Sequence, residues 1–166
     1  MKELIDAATR MGELLEKKGW LMTTAESCTG GGVAQAITEI SGSSQWYEGG
    51  FVTYSNVAKT EMLDVPPALL AQFGAVSEEV AAAMAEGALA NSSAHVSVST
   101  TGIAGPTGAV PGKPVGTVCF GWSMERHGKP HTVTERLVFK GDRQAVRQQA
   151  VMHALEGLIR FVGQER

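Results

Sequence analysis

The chain has 166 residues, enough for one domain spanning 1–166 around a single core, and at 43% hydrophobic and 19% charged it reads as a globular protein. A net charge of −3, no basic run and no basic–aromatic interleaving exclude nucleic acid and an anionic membrane surface as expected partners. No apolar run approaches the roughly 18 residues of a membrane span, Lys2, Glu3 and Asp6 do not suit a secretory signal, and Cys28 and Cys119 have neither metal nor redox spacing, so a reducing cytoplasm is the expected compartment.

Leu4, Ala8, Met11, Leu14 and Leu15 recur at three- and four-residue steps, which predicts a first helix stopped by Gly19. Residues 20–25 read as a short strand. It feeds a glycine turn, and a second helix follows with Val33, Ala36, Ile37 and Ile40 on one face. Ser43 to Gly50 reads as a loop in which Trp46 is expected to pack, because large aromatics usually bury. Phe51 to Ser55 reads as a second strand, and Ser55 or Asn56 can cap a helix carrying Lys59 and Leu63. Pro66-Pro67 opens another helical turn through Leu69, Leu70 and Phe73, ended by Gly74. Ser77 then caps an alanine-rich helix, Glu78 to about Ala90.

His95 to Thr101 alternates valine and serine, which predicts a third strand with valine inward and serine outward. Residues 102–116 form a glycine- and proline-rich loop, and such a length in a compact domain usually serves function. Thr117–Met124 and His131–Phe139 read as two strands joined by a turn. A last helix runs from about Arg143 to Phe161, capped by Asp142. Alternating helices and strands followed by a hairpin predict an α/β fold: a mixed sheet covered by helices on both faces.

The stretch Thr23 to Gly32 carries the chemistry. It sets Ser27, Cys28 and Thr29 beside three glycines between a strand and a helix. Glycine there permits positive φ and close approach of a ligand, and the first helical amides lack internal partners. The bland alternative is that Ser27 or Thr29 merely caps the helix. A serine needs a base to become a nucleophile, and Lys59 can be one if burial keeps it neutral. Against that, Lys59 can be an ordinary solvated lysine. Tyr54 can hydrogen-bond Ser27 or Lys59, or be a half-buried strand aromatic. Cys28 is a competing nucleophile or a buried inert thiol. Arg143 and Arg147 oppose the dipole of the last helix unless an anion sits nearby; otherwise they pair with Asp142 or Glu135. The scattered histidines complete no metal site. Gly-x-Gly-x-x-Gly, P-loop, Ser-x-x-Lys and Gly-x-Ser-x-Gly patterns are all absent.

Several segments occur together in one order: Thr24-Ala25-Glu26-Ser27-Cys28-Thr29-Gly30-Gly31, Phe51-Val52-Thr53-Tyr54-Ser55-Asn56 with Lys59, Gly74-Ala75-Val76-Ser77, Gly102-Ile103-Ala104-Gly105-Pro106, Lys113 to Val118, and Gly141-Asp142-Arg143. Over nearly its whole length the chain resembles the stand-alone nicotinamide-nucleotide amidase family, the carboxyl-terminal domain of the competence-damage protein CinA. Larger members carry an additional amino-terminal domain. The resemblance implies a metal-free amidohydrolase, with no cofactor, that converts nicotinamide mononucleotide to nicotinic acid mononucleotide and ammonia. By that resemblance Ser27 is the nucleophile, Lys59 the base and Tyr54 an assisting group. The backbone around Cys28, Thr29, Gly30 and Gly31 would hold the oxyanion, and Gly102, Ala104, Gly105 and Arg143 would contact the substrate phosphate. The expected partner is a small nucleotide, and a homo-oligomer is compatible with this reading. A nucleotide-binding domain that performs no chemistry is the competing expectation.

Overall fold

The computed structural model describes residues 1–164. A five-stranded mixed sheet has the order β2-β1-β3-β4-β5. Its strands are β1 (Met22–Glu26), β2 (Tyr47–Val52), β3 (Val96–Gly102), β4 (Thr117–Arg126) and β5 (Lys129–Val138). β1 pairs in parallel with β2 and β3, while β4 and β5 add antiparallel. The helices are α1 (Lys2–Lys18), α2 (Gly32–Thr38), α3 (Asn56–Leu63), α4 (Pro67–Phe73), α5 (Glu78–Ala90) and α6 (Arg143–Gly163). Helices α1, α2 and α6 cover one face, and α5, flanked by α3 and α4, covers the other. The expected α/β class with helices on both faces is therefore the observed one.

The two faces differ in chemistry. The α1/α2/α6 side holds the larger apolar core, with Met11, Leu15, Trp46, Phe120, Trp122 and Leu155 all buried. Trp46 packs as expected. The opposite side has a small core of Ala25, Leu63, Val65, Val80, Met84 and Ala88. There the β3 serines do not face water, as the alternation suggested. Ser97 and Ser99 are fully buried and donate to the Ala85 and Ala81 carbonyls of α5 at 2.7 and 2.6 Å. An alanine-rich helix lies close enough for short hydroxyls to reach its backbone, so a polar residue on the second face signals helix contact here and not exposure.

β2 also departs from expectation. It spans Tyr47–Val52 and not Phe51–Ser55. Burial of Trp46 delivers the next residue beside Met22, whose amide bonds the Trp46 carbonyl at 2.8 Å, so pairing begins there. Gly49 and Gly50 disguised the strand, because glycine is depleted in strands. Pairing stops after Thr53 donates to the Glu26 carbonyl at 2.8 Å, since β1 itself turns away at Ser27. Residues 54 and 55 thus leave the sheet and start α3. The hairpin strands extend the expected spans, to Arg126 and from Lys129, and α6 continues two residues past Phe161.

Topology places the site. From β1 the chain goes to β2 on one side of it, then crosses back over β1 to β3. The two crossovers use opposite faces, so their connections diverge at the carboxyl end of β1. Such switch points leave a crevice that ligands use in open α/β sheets.

One close approach fixes α3 against α5. A Cβ at Gly87 would lie 1.9 Å from the Leu63 carbonyl oxygen, a backbone atom that has no rotamer to yield. Gly87→Ala should lower stability by about 1–3 kcal/mol, the usual range for overpacking. Urea unfolding measures this; a midpoint equal to wild type would contradict the packing described.

Candidate active site

Ser27 is the first residue past β1, and its amide donates to the Thr100 carbonyl at 3.0 Å. Lys59 sits one turn into α3. Ser55 caps that helix, its Oγ accepting from the Ala58 amide at 3.0 Å, which sets the helix phase immediately after Tyr54. The phase turns Lys59 inward: only 1% of its surface is exposed. Its Nζ lies 3.0 Å from Ser27 Oγ and 3.0 Å from the Tyr54 carbonyl. Both partners are neutral. Burial pushes the Lys59 ammonium below its ordinary value, with the Cys28 thiol a lesser opposing influence.

A cleft of about 250 Å³ opens over this pair. Ser27, Cys28 and Lys59 form its base, loop residues Gly102 to Gly105 one wall, and Tyr54 and Arg143 its rim. The Tyr54 side chain does not reach Ser27 or Lys59. It is 63% exposed, and its hydroxyl accepts from Arg143 Nη2 at 3.2 Å. Its carbonyl is what contacts the lysine, because the phenol and carbonyl leave the backbone in different directions where β2 ends. Arg143 also donates to the Gly105 carbonyl at 2.8 Å, bridging both rims. It does not pair with Asp142, which instead caps α6 through the Ala145 amide at 2.9 Å.

Cys28 lines the cleft, but burial pushes its thiol up to about 12, and no base contacts it. It is therefore a neutral, weakly nucleophilic group at ordinary pH.

Thr29, Gly30 and Gly31 do not line the cleft. They form the turn that carries Ser27 around, and the helix amides behind it are already occupied. Glu26, fully buried at the end of β1, accepts from the amides of Val33 and Ala34 at 2.9 and 3.0 Å and from Thr29 Oγ1 at 2.6 Å. The Thr29 proton being used there, Thr100 Oγ1 donates to Thr29 Oγ1 across 2.7 Å. The Gly30 amide closes the turn on the Ser27 carbonyl at 3.1 Å. Among the described residues, the amides of Cys28 and Thr29 alone in the stretch 27–30 donate to no other residue.

The glycines admit a helix and not a ligand. Cβ atoms at Gly30 and Gly32 would meet Arg147 Nη2 at 3.2 Å and Val151 Cγ2 at 2.9 Å, both on one stripe of α6. Sequence reasoning missed Glu26, Asn56 and Thr101 as neighbours of the site. Of these only Glu26 carried a signal, a charged residue closing an otherwise uncharged strand.

A family model described as the CinA C-terminal domain matches residues 5–162. The nicotinamide-nucleotide amidohydrolase PncC of Pseudomonas putida is 51% identical over 161 residues, covering 97% of this chain and 98% of its own. The protein of the same name from Escherichia coli K12 is 51% identical, covering 94% and 93% respectively. Among solved structures, the competence damage-inducible protein A of Klebsiella pneumoniae superposes with a TM-score of 0.92 at 36% identity, covering 98% of this chain and 99% of its own.

The depressed Lys59 has a consequence for stability. Between its lowered folded value and the ordinary 10.5, the unfolded chain holds more protons than the folded one, so stability rises with pH across that window. Lys59→Met removes this dependence. The stability of the variant relative to wild type should grow as pH falls through the window, with the fold retained. Urea titrations at several pH values test it; parallel curves for the two proteins would mean that Lys59 is not held neutral.

Proposed function

We infer the reaction of this chain from its kinship, for it belongs to the CinA C-terminal domain family. It is an amidohydrolase that converts nicotinamide mononucleotide to nicotinic acid mononucleotide and ammonia, a step in pyridine nucleotide recycling. The observation that carries the mechanism is the buried Lys59 amine 3.0 Å from Ser27 Oγ, with no counter-charge on it.

A neutral amine has two N–H groups and one lone pair. One N–H rests on the Tyr54 carbonyl, which leaves the lone pair free to turn toward Ser27. As Ser27 Oγ bonds to the carboxamide carbon, its proton passes to Lys59. The carbonyl oxygen becomes an oxyanion, which the free amide of Cys28 stabilises; one such donor is worth roughly 10²–10³ in kcat. The C–N bond then breaks, and Lys59, now an ammonium, returns the proton so that ammonia leaves. Water attacks the resulting ester with Lys59 again taking the proton. Serine and the nicotinate carboxylate are released, and the balance closes without a metal or a redox partner.

The charge layout suits this substrate. The base of the cleft holds no carboxylate or guanidinium, which suits a carboxamide, and Arg143, the one arginine among the described lining residues, would contact the phosphate. The tyrosine hydroxyl, on Arg143, belongs to the same rim, so Tyr54 acts on substrate through its phenol and on Lys59 through its carbonyl.

Ammonia release from nicotinamide mononucleotide tests the reading. Ser27→Ala should lower kcat on the order of 10³-fold or more while still binding the nucleotide. Lys59→Met should lower it about 10²–10⁴-fold, the usual range for a general base. Wild-type kcat/KM should rise with pH through a midpoint below 10.5, because only the neutral amine accepts the serine proton. Binding without turnover by the wild type would favour a nucleotide-binding domain that does no chemistry.

A further inference from the structure

In the proposed reaction the two ends of the cleft are assigned: the carboxamide lies at the Ser27–Lys59 base and the phosphate at Arg143 on the rim. The ribose must then lie between them, and its vicinal hydroxyls need partners. Most polar side chains around the cleft are already engaged. The Tyr54 hydroxyl accepts from Arg143 at 3.2 Å, and Thr101 Oγ1 donates to the Ala75 carbonyl at 2.8 Å. Among the described lining residues, the hydroxyl or amide side chains without a hydrogen bond are those of Asn56 and Thr107.

Asn56 is the better placed of the two. Thr107 belongs to an exposed loop, whereas Asn56 opens α3, a helix that Ser55 caps at its start. It precedes Lys59 by three residues, so the two side chains share a helix face. Lys59 reaches Ser27 from that face, which is therefore the one turned to the cleft. The lysine runs back toward the amino end of α3, where its Nζ meets the Tyr54 carbonyl at 3.0 Å. Asn56 also borders a second, apolar hollow lined by Val57, Pro67 and Leu70. It thus stands on the lip between the two and not at the base. That is just outward of the reacting pair, at the depth where the pyridine ring gives way to the sugar.

We propose that Asn56 is a specificity-determining residue: its side-chain amide hydrogen-bonds the ribose 2′- and 3′-hydroxyls of the bound nucleotide. The assignment deepens the amidase reading and rests on it. A carboxamide carries two donors and an acceptor, and each sugar hydroxyl can play either part, so one amide can serve the vicinal pair. In dinucleotide-binding folds an acidic side chain takes a ribose hydroxyl. An acid at position 56 would share a helix face with Lys59 and favour its charged form. A neutral amide supplies the same acceptor without that effect.

The test compares nicotinamide mononucleotide with its 2′,3′-dideoxy analogue as substrates for wild type, Asn56→Leu and Asn56→Ala, followed by ammonia release. Wild type should prefer the mononucleotide by about 10-fold or more in kcat/KM. Asn56→Leu should lose about 3–30-fold on the mononucleotide and less than about twofold on the analogue, so that the preference collapses. Asn56→Ala should show the same pattern, and it carries the comparison if the Leu variant does not fold. Equal losses on both substrates would mark a residue that shapes the lip without reading the sugar, and would overturn the assignment. So would a wild type indifferent to the two hydroxyls, or variants that keep the preference. If wild type releases no ammonia from the mononucleotide, the amidase reading fails and takes this assignment with it. Turnover by wild type with an unchanged preference in the variants removes only the role of Asn56.

Discussion

A primary amine buried against a serine hydroxyl, with no anion in contact, is the constraint on which the rest of the molecule depends. Burying a charged ammonium without a partner is far more unfavourable than burying an amine. The fold must therefore supply neutral acceptors and nothing stronger. It does so with a hydroxyl and one carbonyl, each 3.0 Å from Nζ. The nearest buried carboxylate along the chain, Glu26, lies one residue from Ser27. Left with free oxygens it would favour the charged lysine. Three hydrogen bonds from Thr29, Val33 and Ala34 hold those oxygens elsewhere.

The geometry that brings the two groups together comes from topology. Ser27 belongs to β1, and Lys59 follows β2, its neighbour. Parallel strands begin and end together, so the two chain segments leave the sheet at the same edge within a strand spacing of each other. Thr53 remains tied to Glu26 by a ladder-like hydrogen bond, and Ser55 starts α3 two residues later. A lysine four residues into that helix then reaches back across one strand. The close packing of α5 at Gly87 keeps α3 from drifting outward. Distance between Ser27 Oγ and Lys59 Nζ is thus set by backbone pairing and helix contact, and not by the side chains themselves.

Much of this could be read in the sequence, and the failures share a cause. Helix positions followed from 3.6-residue periodicity and from Ser55, Ser77 and Asp142 as caps, each of which accepts a hydrogen bond from a first-turn amide as expected. The strand–turn–helix at Ser27 was legible from glycines between apolar runs. What could not be read was which neighbour each polar or small residue served. Serines on β3 look solvent-facing until α5 is laid on them. Gly49 and Gly50 look like loop until the burial of Trp46 sets the register of β2. Gly30 and Gly32 look like a ligand cradle until α6 is found against them. Each error assigned to water or ligand a surface that another element of the same chain occupies, and periodicity along one segment holds no information about the segment packed across from it.

The same lesson alters the electrostatics of the turn at Ser27. A serine before a helix suggests that the helix dipole assists the oxyanion. Here α2 is short, Gly32–Thr38, and its leading amides are committed to Glu26. The dipole therefore meets a carboxylate before it meets the cleft. Arg147 brings the opposite charge against the same turn from α6, and the two act on Cys28 in opposite senses, Glu26 raising its thiol value and Arg147 lowering it. These two charges thus oppose one another beside Ser27. That would suit the proposed base, which must be uncharged before the reaction and charged in the middle of it: strong positive potential would weaken Lys59 as a proton acceptor, whereas strong negative potential would protonate it at rest. In the proposed reaction, oxyanion stabilisation then falls to short-range contacts such as the free Cys28 amide, whose value depends on direction more than on net charge.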